Sequence, residues 1–156
     1  MTAPAAQLGL AFPAPWVRVQ VVREPAGAGV EPCQVRSPAD AARLVRQRSD
    51  LEAVEVFYVL TLDAQNNVTT LSEVTRGVLD ASLVQPREVF QRAILANAAS
   101  VIVAHNHPSG NPTPSPDDRA VTRNLVAAGQ VLNIPVCDHV IVGAERFYSF
   151  AEAGLL

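Results

Sequence analysis

Two histidines and an aspartate could meet in the segment that begins at His105. His107 follows after one residue, Asp118 lies further along, and an apolar run at residues 99–104 comes before them. Alternate residues of an extended strand point the same way, so a strand that continues to His107 would bring both imidazoles to one side. Two nitrogens and one carboxylate oxygen, with a fourth position left for water, are typical of a catalytic zinc site.

The residues between His107 and Asp118 predict how the carboxylate returns to the histidines. Three prolines and a glycine within residues 108–114 cannot continue a strand or a helix, so the chain must turn. Ser115 and the proline after it then have the pattern of a helix N-cap and first helical position. Asp118 would lie in the first turn, where the helix dipole favours a negative charge. Asp117 is the rival ligand.

A hydrolytic metal site also needs a base for its water. Glu55 is the candidate, because it lies at the start of the most apolar predicted strand. A carboxylate is unexpected there unless it belongs to a functional site or to a strand end. An exposed residue at the start of a strand is an equally good interpretation. Glu52, Glu73 and Glu88 are alternatives, and Glu88 is the weaker choice because an acid in the first turn of a helix already interacts with the dipole.

Other polar residues near this segment have simpler interpretations beside functional ones. Ser115 could donate a hydrogen bond to charge that develops in a reaction, or could serve only as an N-cap, and both roles would use one oxygen. His139, next to Asp138, could titrate near the site, but a structural histidine is the favoured interpretation. Cys137 in an apolar strand is predicted to be a small buried side chain. Cys33 is too distant for a metal or disulfide spacing.

The composition predicts a soluble, cytoplasmic protein with one core. The chain has 156 residues, of which 49% are hydrophobic, and this suits a single domain. The charged residues make up 17% of the chain and the net charge is -3, so binding to nucleic acid is not supported by charge. The arginines at residues 43–48 could form a local patch that binds nucleic acid, although a solvated helix face is the simpler interpretation. No segment predicts a membrane span or an export signal. A homodimer is compatible with the sequence.

Hydrophobic periodicity predicts an α/β or α+β sandwich. A variable arm and strand would occupy residues 1–35, and one domain would occupy residues 36–156. The predicted elements are strands at 16–23, 55–62, 68–75, 100–104, 136–142 and 147–150, and helices at 38–48, 86–97 and 116–132.

The order of these residues resembles a known motif. The pattern is similar to the JAMM motif of the MPN-type metalloproteases, which consists of a glutamate, then His-x-His, seven residues and Ser-x-x-Asp. The sequence His-Asn-His-Pro-Ser-Gly looks like the RadC family. The motif spacing favours Asp118 over Asp117. The likeness covers about residues 49–150. It also includes Leu62-Asp63, Pro86-Arg-Glu-Val-Phe and Asp138-His139-Val-Ile-Val142.

The resemblance implies an MPN/JAB-type fold, similar to cytidine deaminases, with a curved mixed sheet packed with helices. It implies one Zn²⁺ per chain held by His105, His107 and Asp118. Glu55 would hold the catalytic water, and Ser115 would stabilise the tetrahedral intermediate. The implied substrate is a peptide or protein, cleaved at a peptide or isopeptide bond.

Two other function classes compete with a peptidase. A RadC-like module without catalysis could hold a structural metal while it associates with protein or DNA in repair or recombination, but such platforms typically lack the metal residues that are present here. A nuclease would need a basic face or several carboxylates for two metals. Proteins similar to this one usually carry an N-terminal helix-hairpin-helix segment, and residues 1–48 lack a Gly-rich hairpin of that kind.

Overall fold

The computed structural model describes residues 33–50, 52–77 and 84–156. The predicted strand at 16–23 and most of the predicted arm lie outside the described residues. The other predicted helices and strands are confirmed, with ends that differ by at most a few residues. In chain order, the elements are α1 Pro38–Ser49, β1 Val56–Leu62, β2 Val68–Arg76, α2 Pro86–Leu95, β3 Ser100–Asn106, α3 Pro116–Leu132, β4 Val136–Val142 and β5 Phe147–Ser149.

The five strands form one mixed sheet in the order β2-β1-β3-β4-β5. β1 runs antiparallel to β2 and to β3, β3 pairs with β4 in parallel, and β4 pairs with β5 antiparallel. The mixed sheet with helices confirms the predicted α/β class. β3 is the central strand and every residue in it is buried, so the histidine that ends its apolar run is surrounded by protein.

The helices cover both faces of the sheet, which gives two apolar cores. On one face, α1 packs against β1, β3 and β4; on the other face, α2 packs against β1 and β2 and α3 packs against β4, over buried side chains of β1 and β3. Because side chains alternate along a strand, His105 shares the second face with Val101 and Val103. The main members of the second core are Phe57, Val59, Val89, Phe90, Ala93, Val101, Val103, Val121 and Leu125.

The helix that follows the proline-rich turn has well-defined ends. Ser115 is its N-cap with extended backbone, the proline after it occupies the first helical position, and Ser115 and Asp118 form a capping box. The helix ends at Asn133, whose φ of 57° is left-handed, a conformation that suits the short polar side chain of asparagine. Asp118 is therefore held at a fixed helix start, as the sequence predicts.

Two expectations about single residues are wrong. Cys137 is exposed rather than buried, since it lies near the start of β4 beside an open groove that Val35 and Ile102 also line. Arg46 is half-buried rather than solvated, and its guanidinium donates to the carbonyl oxygens of Gly143 and Arg146, which ties α1 to the β4–β5 turn. None of the described helices is long and apolar enough to cross a membrane.

Candidate metal centre

His105, His107 and Asp118 come together where β3 ends and α3 begins, and their ligand atoms all lie within 4.8 Å of one another. Nε2 of His105 is 2.9 Å from Nε2 of His107 and 3.1 Å from Oδ1 of Asp118. Nε2 of His107 is 3.5 Å from Oδ2 of Asp118. His105 and Asp118 are almost fully enclosed, whereas 12% of the His107 side chain is accessible, so solvent reaches the group from the side of His107.

These separations match what a tetrahedral zinc ion requires. Ligands that each lie about 2.0–2.1 Å from the ion, at tetrahedral angles, are about 3.3 Å from one another. The three observed distances run from 2.9 to 3.5 Å. The donor set, two imidazoles and one carboxylate, is also one that catalytic zinc sites use. The group could therefore hold a divalent ion with little movement.

The capping box of α3 fixes the Asp118 carboxylate. The amide of Ser115 donates to Oδ2 of Asp118 at 2.6 Å, and Oγ of Ser115 accepts from the amide of Asp118 at 3.1 Å. The N-cap role of Ser115 therefore does not exclude a role as a hydrogen-bond donor. The cap uses a lone pair of the hydroxyl, and the O–H proton can still be donated to another acceptor.

Charge within the group favours a deprotonated aspartate. Burial by itself raises the pKa of Asp118, but its contacts with His105 and His107 outweigh burial and hold that pKa far below its usual range. The pKa of His107 is raised, first by Asp118, with a smaller contribution from the charge of Glu55. Asp118 is thus a carboxylate, the form that binds a cation, at any pH at which the protein would work.

Glu55 lies next to this group through the pairing of β1 with β3. Phe57 pairs with His105 in the antiparallel register, and its ring stacks on the imidazole with centroids 5.8 Å apart. Glu55 directly precedes β1, and Asn106, directly before His107, accepts from the amide of Val56 at 2.8 Å, so the half-buried Glu55 lies near His107. The effect of the Glu55 charge on the pKa of His107 agrees with this position.

Asn106, between the two histidines, anchors the chain on both sides of Glu55. Its Oδ1 accepts from the amide of Val56 at 2.8 Å, and its Nδ2 donates to the carbonyl oxygen of Val54 at 3.0 Å. The carbonyl oxygen of Glu55 accepts from the amide of Gly77 at 2.8 Å. The backbone that carries Glu55 is therefore tied to the strand that carries the histidines. The sequence alone does not predict this role of Asn106.

The alternative acids lie in other contacts. Glu52 and Glu73 both accept from the guanidinium of Arg76, an ion-pair cluster on the surface of β1 and β2. Glu88 is in the first turn of α2, the position that the sequence predicts for it. Asp117 is exposed and does not belong to the group of ligand atoms. These positions favour Glu55 as the base and Asp118 as the ligand.

Two further buried polar residues lie behind His105. Nδ1 of His105 is 2.9 Å from Nε2 of His139, and Nδ1 of His139 is 2.6 Å from Oγ1 of Thr122. His139 lies between the rings of Phe57 and Phe150, and burial holds its pKa well below the ordinary value. Thr122 is not among the residues predicted for the site, although its position four residues after Asp118 puts both on one helix face.

A small cleft opens beside His107. Its volume is about 200 Å³, which is smaller than the pockets that typically enclose a whole small molecule. Polar groups and the turn around Gly110 form its walls. The residues that line it are Ser49, Asp50, Glu52, Asn106, His107, Pro108, Gly110, Val142, Gly143 and Ala144.

Comparison with known families gives one family for nearly all of the described chain. The family model described as "RadC-like JAB domain" matches residues 35–155. This span contains His105, His107 and Asp118, and also Glu55 and Ser115.

Curated relatives carry the name UPF0758 protein, which states no activity. One from Roseiflexus castenholzii is 47% identical over 128 residues, or 82% of this chain and 55% of that protein. One from Symbiobacterium thermophilum is 54% identical over 104 residues, or 67% of this chain and 44% of that protein. One from Clostridium perfringens is 42% identical over 123 residues, or 79% and 54%. The chain spans about half the length of the curated relatives it matches.

Proposed function

The chain belongs to the RadC-like JAB domain family, and from this premise we propose that it is a zinc-dependent hydrolase that cleaves a peptide or isopeptide bond. The observation that carries the proposal is the convergence of His105, His107 and Asp118 at the end of β3. Among the described residues, three ligand side chains converge with one side open to solvent, which supports a catalytic ion rather than a structural one, since structural zinc sites are closed by a fourth protein ligand.

Each side chain has a task that its environment supports. Zn²⁺ held by the two histidines and Asp118 would lower the pKa of a water toward about 7 and polarise the carbonyl of the scissile bond. Glu55, whose charge acts on His107 from the segment before β1, accepts a proton from the attacking water and returns it to the leaving nitrogen. Ser115 donates its O–H to the carbonyl oxygen as negative charge develops there.

The surroundings of the site support a polypeptide substrate. The site is reached from the side of His107, next to the cleft of about 200 Å³, which has room for one side chain but not for a large ligand. The net charge of -3 offers no attraction to a nucleic-acid backbone. A single carboxylate ligand is also fewer than a two-metal nuclease site would use.

Elemental analysis tests the metal. Purified protein, the variants His107→Ala and Asp118→Ala, and the control Asp117→Asn are saturated with Zn²⁺, dialysed and analysed. We expect one zinc per chain in the wild type and in Asp117→Asn, and less than stoichiometric zinc in the other two variants. A wild type without zinc, or either alanine variant with full zinc, would contradict the proposed site.

A second experiment tests the base. Glu55→Gln keeps the shape of the side chain but cannot accept a proton, so it should retain zinc and lose hydrolysis of a peptide library. The matched control is Glu88→Gln in the first turn of α2, which should keep both zinc and activity. Full activity in Glu55→Gln, or loss of its zinc, would overturn the assigned role. Absence of hydrolysis in the wild type with zinc bound would favour a structural metal in a binding module.

A further inference from the structure

Behind the proposed zinc ligands lies a chain of buried polar groups that the proposed reaction does not use. It runs from His105 through His139 to Thr122 and ends on the carbonyl oxygen of Asp118, with steps of 2.9, 2.6 and 2.6 Å. The side chains of His139 and Thr122 are at most 1% exposed. Buried polar groups cost free energy unless they form hydrogen bonds, so each contact must consist of one donor and one acceptor.

The direction of these hydrogen bonds follows from their last member. A backbone carbonyl oxygen can only accept, so Thr122 donates its single hydroxyl proton to Asp118. The oxygen of Thr122 must then accept from Nδ1 of His139, which therefore carries a proton. In a neutral imidazole the other nitrogen, Nε2, has a lone pair and accepts. It faces Nδ1 of His105, which accordingly carries the proton between the two rings.

The surroundings of His139 support a neutral ring. The rings of Phe57 and Phe150 lie against it, with centroids 5.5 and 4.9 Å away. The carboxylate of the preceding residue, Asp138, accepts instead from the hydroxyl of Ser149 and from the amides of His139 and Ala151.

We propose that Thr122 and His139 are positioning residues that keep the proton of His105 on Nδ1, so that Nε2 presents its lone pair to the metal position. This inference rests on the proposed zinc site and names the side chains that prepare it. The series of hydrogen bonds begins at one ligand, His105, and ends on the backbone of another, Asp118. The helix that carries the Asp118 carboxylate therefore also determines, through these hydrogen bonds, which nitrogen of His105 carries the proton. Partners of this kind typically change metal affinity by about 10–100-fold when they are removed.

Thr122→Val tests the chain, because valine has nearly the shape of threonine but has no hydroxyl. Without an acceptor at Nδ1, His139 is expected to move its proton to Nε2, where it donates toward His105 and favours the wrong tautomer there. Zinc affinity should then fall about 10–100-fold. The control Thr122→Ser keeps the hydroxyl and should stay close to wild type. Affinities are measured by competition with a chromophoric chelator, and circular dichroism confirms folding.

Imidazole ¹⁵N NMR gives a readout that does not depend on affinity or on the folding of a variant. The chain has three histidines, so the long-range spectrum contains three rings. In the wild type with Zn²⁺, we expect protons on Nδ1 of both His105 and His139. A proton on Nε2 of His139, equal zinc affinity in wild type and Thr122→Val, or an equal loss in Thr122→Ser would each overturn the inference. A wild type that binds no zinc would instead refute the proposed function.

Discussion

Asn106 provides a direct test of how the strand of the histidines holds the segment of Glu55. In Asn106→Leu, the size of the side chain is kept but both hydrogen bonds to the β1 start are lost. Val56 is fully buried, so its unpaired amide should cost about 1–3 kcal/mol, and the lost bond to Val54 about 0.5–1.5 kcal/mol. We therefore expect the free energy of unfolding to fall by about 1.5–4.5 kcal/mol, measured by urea denaturation of metal-free protein.

The matched control for this prediction is Asn106→Asp. It retains an oxygen that can accept from the amide of Val56, so its loss of stability should be smaller than that of the leucine variant. Zinc affinity should stay close to wild type in Asn106→Leu, because the ligands themselves remain, whereas hydrolysis should fall as Glu55 loses its fixed position. If Asn106→Leu unfolded within about 0.5 kcal/mol of wild type, the proposed anchoring would be refuted.

Three further predictions concern the cap, the pH dependence of stability and the turn beside the site. Ser115→Ala should lose about 1 kcal/mol of stability and Ser115→Gly only a few tenths, while both should lose the same share of hydrolysis; unequal activities would contradict a role for the hydroxyl proton. Burial lowers the pKa of His139 in the folded state. Below about pH 6.5 the unfolded state therefore binds one more proton than the folded state. The free energy of unfolding should then fall by up to about 1.4 kcal/mol for each unit of decreasing pH. Urea titrations at several pH values should show a weaker slope in His139→Gln, and an equal slope would count against the buried neutral ring. In Gly143→Ala, the new methyl would collide with the carbonyl oxygen of Gly110 and displace the turn after His107, so a chelator competition should show weaker zinc binding than in the exposed control Glu145→Ala; unchanged binding would argue against this coupling.

Local sequence signals account for much of the fold and for the ligand group. Alternation along β3 predicts that His105 and His107 share a side. The pattern Ser115 and proline predicts the helix start that carries Asp118. Both patterns involve only residues that are close in the sequence. The sequence could therefore predict that these three side chains come together. The same kind of signal predicts the described helices and strands, whose periodicity reflects burial on one face or two.

Contacts between distant residues left no such signal. Glu55 lies near His107 only because β1 pairs with β3, and His139 lies behind His105 only because β4 joins β3 in parallel. Burial at strand ends also depends on what covers them, so Cys137 is exposed in a strand whose other residues are buried.

The sequence by itself determined the metal-binding residue types, their spacing and the elements that carry them. Tertiary contacts are needed for Asn106 to anchor the segment that carries Glu55, and for the hydrogen-bond chain through Thr122 to end on the helix of Asp118. The physical reason is that donor and acceptor roles depend on the partner that each atom meets, and these partners come from strands and helices far apart in the chain.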